Sequence, residues 1–285
     1  MNDGQFLSSA CHFSSPGKRY LLCAAIPEEY TSFLNISGPW EKVKTTPFKL
    51  FQSCKATHTL YFIPTGMGIR KIAPYWQHII KHVKPDLVIS FGFCGEVIRP
   101  TRKKLFLSAC FQPLPPNEFF KASEQPLSSS ILEFCALNKV GIAATISTPV
   151  FLPKRHIPEL IYNRLAPKEA DKLTKYQLIM DMESSLIASL AVRTSVPFLS
   201  IRASTDSYDE EIPFDVEELL NRDGFVSVSK AVALLRRDQS LIKAFWRFWK
   251  SSRQASVRLA TLLTNLFALP PSVLQLSPPK FRNDY

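Results

Sequence analysis

Glycine is scarce in this chain, nine residues in 285, against an ordinary share of about 7%. That excludes glycine-rich fibrous or linker-like architectures, and it makes the place of each glycine informative. Long hydrophobic runs are also missing: no stretch reaches the roughly 18 uninterrupted apolar residues of a membrane span. The first apolar run, YLLCAAI (20–26), follows Lys18 and Arg19 and ends in Pro27, Glu28 and Glu29 rather than at a small-residue cleavage site. It does not read as a secretory signal. The six cysteines (Cys11, Cys23, Cys54, Cys94, Cys110, Cys135) form no CxxC and have no histidine pair beside them at metal-ligand spacing. Reduced, mostly buried thiols in a cytoplasmic protein are the expectation. Of the five histidines, His78 and His82 share an i, i+4 spacing; without a third ligand they read as a surface pair, and no metal or cofactor is expected. GK[ST] and GxGxxG are both absent, which removes the P-loop and the dinucleotide fingerprint.

What is present describes a globular chain: 46% apolar residues, 21% charged, 21 phenylalanines and a mean hydropathy of −0.01. At this length about 70–75% of the chain's surface can be buried. The net charge of +11 raises nucleic acid as a partner until its location is considered. Residues 229–258 carry eight basic residues (Lys230, Arg236, Arg237, Lys243, Arg247, Lys250, Arg253, Arg258) against one acid, Asp238. The excess belongs to a C-terminal segment, and no nucleic-acid partner is expected of the main body.

Residues 1–17 are polar and aperiodic and are expected to be a flexible extension. Strand-length apolar runs then recur: YLLCAAI (20–26), LYFI (60–63), DLVISFGF (86–93), LFLSACF (105–111), VGIAATIS (140–147) and VPFLSIRAS (196–204). Helical patterns lie between them at 28–34, 69–83, 128–137 and 182–194. Alternation of this kind, with runs apolar on both faces, predicts an α/β fold: a mixed central sheet flanked by helices on both faces, over residues 18–228. Beyond Asp215 the pattern turns helical. In 229–285, a basic amphipathic tail is expected. Leu241, Ile242, Phe245, Trp246 and Trp249 share a face opposite Lys243, Arg247 and Lys250, a further helical pattern carries Leu259, Leu262, Leu263 and Leu266, and LSPPKFRNDY reads as loose. The aromatic and basic face suits either packing on the chain's own domain, which is favoured, or contact with an anionic membrane.

Four of the nine glycines fall in TGMG (65–68), after one strand run, and GFCG (92–95), after DLVISF. Glycine at a strand end lets backbone approach a ligand, and a tight turn needs the same residues. Carboxylates stand at the strand-helix junctions: Glu28 and Glu29, Glu183, and Asp206. Each alone is explained as a helix cap or first-turn charge. Together with the glycines they point to a ligand site at the carboxyl ends of the strands.

The runs DLVISFGFCGEV, MDMESSLIASLA and VPFLSIRASTDSYDEE, in that order and spacing, resemble the three signature regions of the purine nucleoside phosphorylase superfamily over roughly residues 19–235. Within it, the sequence is similar to the nucleosidases acting on 5'-methylthioadenosine and S-adenosylhomocysteine and to the futalosine and aminodeoxyfutalosine hydrolases of menaquinone biosynthesis. The resemblance implies that Glu29 activates the attacking water and that Asp206 donates a proton to the imidazole nitrogen of the leaving purine. It implies that Glu183 accepts hydrogen bonds from the ribose 2'- and 3'-hydroxyls above Met182, and that Phe151 stacks on the base beside the main chain of Leu152. More loosely, it implies that Phe214 closes over the pocket, that Thr205 stands where many nucleosidases have serine, and that Gly92, Phe93 and Cys94 lie on the ribose side. It also implies a small-molecule nucleoside substrate, water as co-substrate, and a homodimer.

The superfamily's phosphorylases grip phosphate with arginines, one of them just before the turn matching GFCG; here that position reads Ser90-Phe91. Water is therefore the expected nucleophile. Arg70, after TGMG, is the residue that would reopen phosphorolysis. A purine nucleoside phosphorylase and a non-catalytic binding module on the same fold are the alternatives.

Overall fold

The computed structural model describes residues 17–44, 48–68, 72–98, 101–115, 122–148, 152–165, 167–207, 210, 217–219, 221 and 227–282. In chain order the strands are β1 (Lys18–Ala24), β2 (Glu41–Lys42), β3 (Phe51–Cys54), β4 (His58–Pro64), β5 (Leu87–Glu96), β6 (Leu105–Pro113), β7 (Ser123–Glu124), β8 (Gly141–Ser147), β9 (Gln177–Asp181), β10 (Phe198–Asp206) and β11 (Lys280–Phe281). The helices are α1 (Pro27–Ser37), α2 (Trp76–Val83), α3 (Ser129–Leu137), α4 (Ile157–Arg164), α5 (Pro167–Thr174), α6 (Ser184–Arg193), α7 (Val228–Arg237) and α8 (Ile242–Phe267). The strands form one mixed sheet, β11-β7-β6-β8-β9-β5-β1-β4-β3-β2, and β10 pairs with both β5 and β6. That double pairing bends β5, β10, β6, β8 and β9 into a closed ring.

Both faces of the sheet are covered, as the runs apolar at every position require. On one face Tyr20, Leu22, Leu60, Phe62, Ile89 and Phe91 pack with Phe33 of α1 and with Ala255, Leu259, Leu262, Leu263 and Leu266 of α8. On the other, Leu21, Cys23, Ile63, Val88 and Phe198 pack with Trp76, Ile79 and Val83 of α2 and with Leu186, Ile187 and Ala191 of α6. Parallel register holds β1 between β4 and β5, with Leu22 level with Phe62 and Ile89.

Several expectations are corrected. Of the helix expected over 69–83, residues 69–71 lie outside the described residues, Ala73–Tyr75 form a turn of 3-10 helix, and α-helix runs from Trp76, Pro74 having no N–H to give a preceding turn. The GFCG segment is not a turn after a strand: β5 runs through it to Glu96. The two helical patterns after residue 241 are one helix of 26 residues. In the closing LSPPKFRNDY, expected to be loose, residues 280–282 are anchored: Lys280 and Phe281 pair with β7, and Arg282 Nη2 donates to Gln112 Oε1 at 2.6 Å. Four cysteines, 23, 94, 110 and 135, are free and buried, but Cys54, exposed at the end of β3, is disulfide-bonded, against the expectation of reduced thiols throughout. His78 and His82 sit on the exposed side of α2, and no group of three metal-ligating side chains gathers among the described residues. No helix of the described residues is long and apolar enough to cross a membrane.

Candidate active site

The carboxyl ends of β1, β4, β5, β8, β9 and β10 meet around one cavity of about 200 Å³. Glu29, Phe93, Cys94, Leu152, Met182, Glu183, Thr205 and Asp206 all line it, so the separate junction residues converge on a single site. Gly92 lies at the same end of β5, behind the wall. Phe151, Arg70 and Phe214 fall outside the described residues.

Glu29 is in the first turn of α1, and its two oxygens have different work. Oε2 accepts from the backbone N–H of Ala25 at 2.8 Å and of Ile26 at 3.2 Å, the reach-back that secures a helix start. Oε1 accepts from the backbone N–H of Phe93, across on β5, at 2.8 Å. The helix-start explanation and the site explanation are therefore both satisfied. Burial raises the Glu29 carboxyl above its ordinary range, against the opposing pull of Arg202 and the three backbone donors.

Gly92 shows why the scarce glycine matters here. A Cβ on it would lie 2.4 Å from Glu29 Oε1 and 2.8 Å from Arg202 Nη1. Arg202 stands in register with Gly92 on the neighbouring strand β10, and it is buried. Its Nε donates to Asp181 Oδ2 at 2.6 Å and to Ser184 Oγ at 3.0 Å, while Nη2 donates to Ser90 Oγ at 2.7 Å. Asp181 also accepts from Ser147 Oγ, from Ser184 Oγ, and from the backbone N–H groups of Glu183 at 3.3 Å and Ser184 at 3.2 Å. Asp181, rather than Glu183, thus caps the start of α6.

Glu183 is freed to point elsewhere. Its Oε1 accepts from the N–H of Gly68 at 3.0 Å, and Gly66 and Gly68 take the left-handed backbone conformations, φ 67° and 74°, that glycine tolerates. TGMG is therefore both a turn and a contributor to the site. Burial, reinforced by the neighbouring carboxylates Asp181 and Glu29, pushes the Glu183 pKa up to about 8.

The far end of the cavity is built differently. Asp206, the last residue of β10, accepts from Thr205 Oγ1 at 2.9 Å through Oδ1, and its Oδ2 is 2.6 Å from Lys154 Nζ. Lys154 follows β8 and also donates to the carbonyl of Ser207. Burial raises the Asp206 pKa, with Lys154 and Thr205 pulling the other way. A Cβ on Gly95 would lie 2.8 Å from Asp206 Oδ2 and 3.1 Å from Lys154 Cδ. So the second glycine of GFCG makes room for the second charged cluster.

The N-terminal half of α8 closes the cavity with Phe245, Phe248, Trp249 and Ser252, beside Leu219. Ser251 Oγ donates to the Thr205 carbonyl and fixes this helix to the end of β10. Trp246 and Trp249 remain exposed, Lys250 over one ring and Arg253 over the other. Burial lifts the Cys94 thiol well above its ordinary pKa, so it is no thiolate nucleophile.

Sequence reasoning did not assign Arg202, Asp181, Ser184 or Lys154. For two of them a signal exists: Arg202 is a cation inside the apolar run VPFLSIRAS and Asp181 an acid closing QLIMD, and a charge in a buried strand demands a buried partner. Lys154 sits among other basic residues in PKRH and carries no such mark.

No family model matches the sequence, and no curated protein matches it. The fold is nonetheless that of the nucleosidases of methylthioadenosine and S-adenosylhomocysteine and of futalosine hydrolase. A mutant of the 5'-methylthioadenosine/S-adenosylhomocysteine nucleosidase of Helicobacter pylori, solved with 5'-methylthioadenosine in its active site, matches with a TM-score of 0.64 at 12% identity, over 88% of this chain and 99% of that one. The futalosine hydrolase of Helicobacter pylori strain 26695 matches with a TM-score of 0.61 at 12% identity, over 88% and 97%. The S-adenosylhomocysteine nucleosidase of Streptococcus pyogenes, in complex with 5-methylthiotubericidin, matches with a TM-score of 0.60 at 16% identity, over 90% and 100%.

Proposed function

We propose that this protein is a nucleosidase that hydrolyses the N-glycosidic bond of a 5'-substituted purine nucleoside such as methylthioadenosine, S-adenosylhomocysteine or aminodeoxyfutalosine. The last of these would place it in menaquinone biosynthesis. The observation that carries the reading is the convergence of Glu29, Glu183 and Asp206, from three distant parts of the chain, on one cavity. Cleavage through an oxocarbenium-like sugar needs a carboxylate for the water on one side and protonation of the leaving base on the other. Glu29, held by three backbone donors and raised toward neutrality by burial, suits the base that takes a proton from water. Glu183, fixed by Gly68 beside Met182, suits the ribose hydroxyls, and the Asp206 cluster suits the purine.

Water is favoured over phosphate by charge. Among the described residues, Glu29, Asp181 and Glu183 surround a single guanidinium, Arg202, whose Nε and Nη2 are already committed to Asp181, Ser184 and Ser90. A phosphate dianion added there would have to compete with these groups for that guanidinium. Base release from methylthioadenosine, S-adenosylhomocysteine, aminodeoxyfutalosine and futalosine in phosphate-free buffer, then with phosphate added, tests the reading. Release without phosphate is the expected result. Release only with phosphate would make the protein a phosphorylase, and no release in either buffer would leave a binding module.

A further inference from the structure

The Lys154–Asp206 pair conflicts with the simplest account of leaving-group protonation. Both side chains are largely enclosed, 7% and 12% exposed, with Nζ 2.6 Å from Oδ2. An ammonium offers three N–H donors and accepts nothing; Oδ2 and the Ser207 carbonyl take two of them. The contact has the geometry of an ammonium donating to a carboxylate, which places the lysine, rather than the aspartate, as the proton store at this end of the cavity.

We infer that Lys154, by way of the Asp206 carboxylate, supplies the proton that the departing purine receives, so that the acid of the reaction is the pair rather than the aspartate alone. This rests on the nucleosidase reading above. The balance is as follows. The bond from C1' to the purine N9 breaks and its electron pair enters the imidazole ring, whose N7 takes a proton from Asp206 as Asp206 takes one from Lys154 Nζ. The water oxygen bonds to C1' and gives a proton to Glu29. Lys154, left as a neutral amine, regains a proton from solvent and Glu29 releases one, so the net reaction is nucleoside plus water to free sugar plus free base. Gly95 fits this arrangement, since a side chain there would strike both partners at once.

The test compares wild type, Lys154→Met and Lys154→Arg on two substrates: the best purine nucleoside of the panel above, and 4-nitrophenyl β-D-ribofuranoside, whose leaving group departs without protonation. Thermal melts confirm that all three are folded. Methionine keeps the stem and removes the charge; arginine keeps the charge but does not surrender a proton. The expected result is a loss of about 10²-fold or more in kcat on the nucleoside for both variants, with less than about threefold lost on the nitrophenyl riboside. Nucleoside turnover restored in Lys154→Arg would overturn the inference, because the lysine would then act by charge alone. Equal losses on both substrates would also overturn it, as would wild-type turnover in Lys154→Met. If wild type cleaves the nucleoside but not the riboside, the arginine variant decides: more than about a tenth of wild-type turnover rejects the proton role. Wild type inactive on both substrates would reject the nucleosidase reading itself, a result separate from any failure of Lys154.

Discussion

The two ends of the cavity solve the same problem, burying carboxyls, by opposite means. Around Gly92, three carboxyls, Glu29, Asp181 and Glu183, share one guanidinium and a shell of backbone N–H and serine donors. Around Gly95, one carboxyl has one ammonium of its own. The first arrangement is crowded, and burial drives two of its carboxyls, Glu29 and Glu183, toward holding protons. The second is a one-to-one pairing of ammonium and carboxylate, Nζ 2.6 Å from Oδ2. On the proposed mechanism one strand, β5, separates a proton-accepting end from a proton-donating end, with two glycines three residues apart.

The strongest way to break the contrast is Arg202→Met. It leaves the buried carboxyls without their cation and should cost about 3–5 kcal/mol of stability, read as a lowered denaturation midpoint at pH 7. Lys154→Met, which orphans only one carboxyl near the cavity surface, should cost less than half of that. Next in size is Gly92→Ala. Glu29 is pinned by three backbone donors and has nowhere to retreat from the new methyl, so kcat should fall about 10²-fold. Gly95→Ala meets the flexible stem of Lys154 and should lose less; a Gly95→Ala variant slower than Gly92→Ala would reverse the ranking of the two ends.

A smaller effect concerns Glu183, whose pKa rises from 4.5 to about 8 on folding. A carboxyl raised in the folded state gives its full stabilisation below pH 4.5 and loses it as pH climbs through about 8. Glu183→Gln removes that loss. The variant should gain on wild type as pH rises from about 5 to about 9, read as a Tm difference that widens with pH, with its nucleoside turnover abolished or nearly so. A melting difference independent of pH would show that Glu183 is not protonated by burial. Smallest is Thr205→Val, which removes the hydroxyl donating to Asp206 Oδ1 and costs the worth of one hydrogen bond, about tenfold or less in kcat.

The sheet and the carboxylate set were legible because both leave local marks. Runs such as DLVISFGF and VPFLSIRAS are apolar at every position only when both faces of a strand are covered, and β5 and β10 are where those runs fall. Helices α4 and α5 were not legible: Pro158, Pro167 and a high polar content mask two short amphipathic turns that bury Ile157, Ile161, Ala170 and Leu173 on β8 and β9. The glycines of GFCG were noticed but misplaced. Their need comes from side chains 63 and 110 residues away for Gly92, and from Lys154 and Asp206 for Gly95, and such approaches exist only in three dimensions. Arg202 and Lys154 escaped for the same reason: a charge announces itself in sequence, its counter-charge does not.

Helix α8 has a consequence for the order of events during synthesis. Its leucines, from Leu259 to Leu266, complete the face formed by Tyr20, Leu22, Phe62 and Phe91, and its aromatic half walls the cavity. Until α8 docks, α1 covers that face only in part, and the growing chain carries an apolar surface prone to aggregation. Docking of α8 buries that surface and walls the pocket in the same movement, so completion of the core and completion of the cavity are one event.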